Sequence, residues 1–218
     1  MQTDFYVDEW RVGQAMAGLD EGTAVYLAPT QQELATFLFA LGGRRHELRN
    51  LNLHESLVPL GWAGQPIAYF LRADDAAGLA HLQQVWGDAA EISTTLRGFT
   101  QLTIASAPAT PPPLAHFGAE IALVEVQTAA HDNQLQVTLT WQATAVPTAD
   151  YTAFIHLLDE QGEIVAQLDR PPAGYPTADW RPNERIRDTF TLPLISYTTL
   201  RTGFYHPHTL QPLGVYEE

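Results

Sequence analysis

Four prolines fall within residues 106–116 (SAPATPPPLAH), and this run divides the chain. Proline fixes φ and lacks an amide hydrogen, so the run can neither continue a helix nor sit inside a sheet. It predicts a semi-rigid, extended linker. Helical and strand patterns alternate before it, whereas only strand patterns follow it. A chain of 218 residues has the length for one large domain or two small ones. The expectation is an α+β protein of two domains: a small α/β layer domain over residues 1–106, the linker over 107–116, and an all-β immunoglobulin-like sandwich over 117–218.

In the first part, residues 5–19 carry Trp10, Val12, Met16 and Leu19 at helical spacing, and Gly22 closes the segment. Residues 23–28 (TAVYLA) read as a buried strand. Thr30 and Glu33 make a capping box for a second helix, whose stripe is Leu34, Phe37, Leu38 and Leu41 and whose stop is Gly42-Gly43. Residues 46–53 and 66–72 are strands. Asp74 and Asp75 can cap a third helix with Leu79, Leu82, Val85 and Trp86 on its apolar face. Residues 91–96 and 99–105 then form a hairpin around Arg97-Gly98.

Beyond the linker, strands are predicted at 120–128, 135–143, 152–159, 164–168, 186–192, 198–205 and 213–216, with Gln161-Gly162 as a tight turn. Short strands at this spacing indicate a sandwich. A long loop lies among them, within residues 165–188 (VAQLDRPPAGYPTADWRPNERIRD). Such loops are uncommon unless they are functional or pinned by their own side chains. Two readings stay open. Tyr175 and Trp180 can stack on sugar rings while Asp169 and Asp179 accept hydroxyl protons. Alternatively, the two rings pack inward and the aspartates bond loop amides.

Composition excludes several classes. The net charge is −14, and all eleven basic residues are arginine. That balance repels nucleic-acid phosphates and anionic lipid headgroups, so neither is an expected partner. Cysteine is absent, which removes thiol catalysis, thiolate metal sites and disulfides. No apolar run reaches the ~20 residues that span a bilayer, and the start (MQTDFYVDEW) is too polar for a signal peptide, so a soluble chain is expected. The first β–α junction, Ala28-Pro-Thr-Gln-Gln-Glu33, holds no glycine and so lacks the phosphate loop of dinucleotide sites. No hydrolase, zinc-protease or P-loop motif occurs. His206 and His208, with His156, could present imidazoles to a metal, but the spacing fits a turn better. No cofactor, metal or catalytic residue is expected in this chain.

One resemblance emerges from the residues of the second part. Leu139-Thr-Trp141, Tyr151-Thr-Ala-Phe-Ile-His-Leu-Leu-Asp159, Gly162-Glu-Ile-Val-Ala-Gln167, Asp169-Arg-Pro-Pro172, Tyr175-Pro-Thr177, Trp180-Arg-Pro182 and Gly203-Phe-Tyr205 occur in order. Together they resemble the soluble C-terminal region of bacterial family-39-type membrane glycosyltransferases, the dolichyl-phosphate-mannose and aminoarabinose transferase-like group. Val25-Tyr-Leu-Ala-Pro29 and Ile67-Ala-Tyr-Phe-Leu71 are similar to the segment that follows the last membrane helix there. The resemblance implies a parent enzyme that transfers sugar from a polyprenyl-phosphate donor at the extracytoplasmic face. Its catalytic acids lie between membrane helices, so none transfers to this chain. The implied role is an accessory module, partnered by the membrane-embedded part of the parent chain and able to hold carbohydrate at Asp169, Tyr175, Asp179 and Trp180. The alternative is a structural or protein-interaction module without a small-molecule ligand. Where the family has Pro-Pro-Gly-x-Tyr before a late strand, this chain has Pro193-Leu-Ile-Ser-Tyr197, which leaves the pairing of the last strands open.

Overall fold

Runs of apolar residues at helical spacing and strands buried on both faces build the first part of the chain, and alternating strands build the rest. The computed structural model describes residues 7–28, 34–43, 48–94, 96–172 and 174–218. The chain separates into two compact units, Met1–His54 with Gly61–Pro108, and Glu55–Leu60 with Ala109–Glu218.

The first unit contains α1 (Val7–Ala17), β1 (Ala24–Leu27), α2 (Leu34–Leu41) and β2 (Leu48–Asn50). The next strand, β3 (Leu57–Pro59), belongs to the second unit, after which β4 (Ile67–Arg72), α3 (Ala76–Trp86), β5 (Ala90–Ser93) and β6 (Phe99–Ile104) complete the first. Its sheet has the order β2-β1-β4-β6-β5, with β1 parallel to β2 and β4. Every residue of β1 is buried, as a central parallel strand requires. Val12, Met16 and Phe37 from α1 and α2 pack on Val25, Leu27 and Phe70. The helices cross closely at Gly13, where a Cβ would lie 2.5 Å from the Ala40 Cβ. Tyr69 stacks on Tyr26 at 5.3 Å and accepts a hydrogen bond from the α3 residue Trp86. Asp75 caps α3 by accepting from the Gly78 amide. The proposed Thr30–Glu33 capping box lies outside the described residues.

The second unit adds β7 (Ala115–Phe117), β8 (Ile121–His131), β9 (Gln134–Ala143), β10 (Thr152–Leu158), β11 (Ile164–Arg170), β12 (Arg185–Pro193), β13 (Thr199–Tyr205) and β14 (Pro212–Glu217). They form a four-stranded sheet, β11-β10-β13-β14, and a five-stranded sheet, β3-β12-β9-β8-β7. Leu123, Leu139, Trp141, Ile155, Leu157 and Phe204 from both sheets meet in one core. Among the late strands β13 pairs with both β10 and β14, the latter with a register shift between Phe204 and Tyr205.

Two expectations need correction. The predicted linker ends in a strand, because Ala115–Phe117 pairs with Ile121–Leu123 of β8. Residues 57–59 also form a strand, at the edge of the five-stranded sheet, against Ile186–Asp188. Three residues are too few to show periodicity, so neither strand was visible as a pattern. Among the described residues no helix is long and apolar enough to cross a membrane.

Candidate functional site

The long loop resolves into a set of internal pins. Tyr175 and Trp180 are 1% and 0% exposed and belong to the core. The Trp180 indole N–H donates to the Tyr175 carbonyl at 3.0 Å, and its ring meets Phe204 edge to face. The Tyr175 hydroxyl, with one proton to donate, lies 3.1 Å from both oxygens of the buried Glu184 carboxylate and from the Asp179 carbonyl. Glu184 also accepts from the Arg181 amide. Thr177 bonds the Ala149 carbonyl and accepts from the Tyr151 amide, tying the loop to the start of β10. These bonds satisfy polar groups that the prolines leave without regular partners. Neither ring shows a face to solvent, so the expected stacking of a sugar on Tyr175 and Trp180 is corrected: both serve the core.

The two aspartates of the expected site separate from these rings. Asp179 lies in a short 3-10 turn, Thr177–Asp179, with its side chain exposed. Asp169 lies on β11 opposite Phe154 of β10, on the face away from the core residues Ala153, Ile155 and Leu157. There its Oδ1 is 3.0 Å from His156 Nε2. Tyr205, on β13 at the other side of β10, pairs with Thr152. Burial, then the charge of Asp169, push the Tyr205 phenol above its ordinary range.

A second polar cluster lies between the sheets. Asp188 is fully buried; its Oδ1 accepts from Arg170 Nη2 and Ser56 Oγ, both at 2.7 Å. Arg170 stacks over the Phe190 ring at 4.1 Å and donates to the Thr189 carbonyl. Burial pushes the Asp188 carboxyl up, and Arg170 with the hydrogen bonds from Arg170, Ser56 and Thr189 offsets only part of that. A third group ties down the turn before β10: Tyr151 and Thr148 donate to Glu120. Burial raises the Glu120 carboxyl, but these hydrogen bonds outweigh it and hold the group below its ordinary value.

His206 and His208 form a turn, in which His206 Nδ1 accepts from the His208 and Thr209 amides. His156 is engaged with Asp169. Among the described residues no group of three or more His, Cys, Asp or Glu could hold a metal ion. In the first unit, a crevice of about 420 Å³ opens at the carboxyl ends of β1 and β4, where α/β sheets commonly bind ligands. Three of its four polar side chains are engaged: His54 pairs with Asp75, Asp75 caps α3, and Arg72 pairs with Glu9 and covers Phe99.

Alternation along β10, β11 and β13 could have placed Phe154, His156, Asp169 and Tyr205 on one face. The Gln161-Gly162 turn signals the pairing of β10 with β11, but no local signal gives the pairing of β10 with β13. Ser56 and Asp188 are 132 residues apart and were not detectable as partners.

No family model matches the chain, and no curated protein matches it either. Among solved structures, an endonuclease/exonuclease/phosphatase from Beutenbergia cavernae DSM 12333 is similar over 60% of this chain and 33% of its own, at 12% identity and a TM-score of 0.32. A β-glucuronidase from Ruminococcus gnavus is similar over 55% of this chain and 16% of its own, at 12% identity and a TM-score of 0.26. The chain thus spans a third or less of the length of either. Likenesses this slight assign neither a family nor an activity.

Proposed function

We propose that this chain is a non-catalytic accessory module of a membrane glycosyltransferase of the family-39 type, placed at the extracytoplasmic face beside the membrane-embedded part of its parent. One observation carries the reading. The resembling stretches of the second unit meet in a single core: Trp141 packs edge to face on Phe204 at 4.7 Å, and Trp180 does so at 6.1 Å. Those stretches therefore act as the architecture of one module rather than as scattered coincidences of composition. We read the finer layout as a small α/β layer domain, a proline linker and an immunoglobulin-like sandwich. The accessory role includes holding neutral glycan, which a chain of net charge −14 does not repel.

The test is the reading frame upstream of the Met1 codon in the source genome. The expected result is a continuous frame encoding several apolar segments of ~20 residues. A stop codon in frame, followed by a ribosome-binding site just ahead of Met1, would remove the transferase role.

A second reading, a structural or protein-interaction module without a small-molecule ligand, is favoured by the burial of Tyr175 and Trp180. Glycan binding separates the two readings.

A further inference from the structure

We propose that the outer face of the four-stranded sheet, centred on Asp169, is a carbohydrate-binding surface; the choice of ligand class rests on the accessory-module reading above. Strand registers lay this face out as rows. Gln167, His156, Arg201 and Glu217 form one row, and Asp169, Phe154, Gly203 and Val215 form the next. Thr152 and Tyr205 follow as a neighbouring pair.

Phe154 has no place in the core cluster, yet it is only 6% exposed. It lies across Gly203, where a Cβ would come within 2.9 Å of the Phe154 Cζ and would collide with the Gly214 carbonyl. The His156 ring is 4.7 Å from Phe154, and the Tyr205 ring is 6.2 Å away and inclined by 29°. A buried ring thus supports two partly exposed ones. Asp169 is held in place by His156 from β10.

This arrangement suits a neutral polyol. A carboxylate has about four acceptor positions, so the His156 contact leaves room for sugar hydroxyls. The Tyr205 and His156 rings offer apolar surface for the C–H face of a sugar. Gln167 and Arg201 supply donors on the adjoining row, with Arg201 held at 2.6 Å by Glu217. An anionic ligand would meet Asp169, Glu217 and the overall negative charge. A flat apolar partner would have to desolvate the charged row without replacing its hydrogen bonds. The site uses Asp169 from the expected loop site but replaces Tyr175 and Trp180 with Tyr205 and His156.

The experiment is a set of amide NMR titrations of the full chain with mannopentaose, cellohexaose and maltohexaose. At least one sugar is expected to shift amides of β10, β11 and β13. Asp169→Asn should weaken that binding at least tenfold, and Tyr205→Ala should abolish it. The milder Tyr205→Phe, which keeps the ring but loses its hydroxyl, should weaken it several-fold and decides the matter if a harsher variant loses its dispersed spectrum. Binding that maps elsewhere, or that survives these substitutions within twofold, overturns this surface but leaves the glycan-holding role standing. No response to any of the three sugars overturns the surface and the glycan-holding role together; the transferase association is judged separately, by the upstream reading frame.

Discussion

Asp169 and Arg170 are neighbours in β11, and their side-chain partners lie on opposite faces of the same sheet. Asp169 faces outward to His156 at 3.0 Å, with side-chain exposures of 29% and 18%. Arg170 faces inward to Asp188 at 2.7 Å, and Asp188 is wholly buried. The outer pair keeps water at hand, so its loss is cushioned by solvation and its net stabilisation is small. The inner pair has been stripped of water on one side. Its formation gains little over an apolar pair, but removal of one partner strands a buried charge. Among the described residues Asp188 Oδ2 and Arg170 Nη1 have no hydrogen-bond partner, so the inner cluster is not fully satisfied even when intact. A one-residue step along a strand thus separates a partly exposed carboxylate from a cation committed to holding the sheets together.

The sharpest way to break this contrast is Arg170→Ala. It leaves Asp188 buried without its cation and opens the stacking on Phe190, so a loss of about 3–5 kcal/mol is expected in urea unfolding. A loss under about 1 kcal/mol would place Arg170 with the surface pairs. Ser56→Ala should come next, at about 1–2 kcal/mol, since it removes one bond to a buried carboxylate. Because Ser56 adjoins β3, amide exchange in Leu57–Pro59 should quicken in the same variant; unchanged exchange there would show that the strand holds without the cluster.

The third prediction concerns pH. The Asp188 carboxyl is raised on folding, so the folded chain holds its proton more tightly than the unfolded one. Its contribution to stability is therefore fully present below about pH 4, the unfolded value, and is lost as pH rises through the raised folded value. Asp188→Asn cannot titrate. Wild type should lose ground to this variant as pH climbs from 4 towards neutrality, read from urea midpoints at each pH. Parallel curves would mean that Asp188 titrates alike in both states. The smallest effect is expected at Asp169→Asn, under about 1 kcal/mol in stability. A loss as large as that of Arg170→Ala would make the outer cluster structural and would erase the comparison.

Much of the fold was legible because its signals are local. The seven strands foreseen after the proline run all occur, since alternation and turn residues act within a few positions. Asp75 and Gly87 mark the ends of α3 as capping chemistry requires. The pinning option for the loop was also readable, because four prolines and two large rings must be anchored somewhere.

Beyond the hairpins at 97–98 and 161–162, the chain could not declare alone which strands would meet. Phe154, His156, Asp169 and Tyr205 sit at ordinary alternating positions, and only the register of β11 on β10 and β10 on β13 joins them. Ser56 reaches Asp188 only because residues 55–60 depart from the first unit and add an edge strand to the second. Helix and strand tendencies were determined by the sequence through short-range sterics and side-chain period. The division of Asp169 and Arg170 between surface and interior was decided by tertiary pairing, which sets where water is excluded and hence what each charge can do.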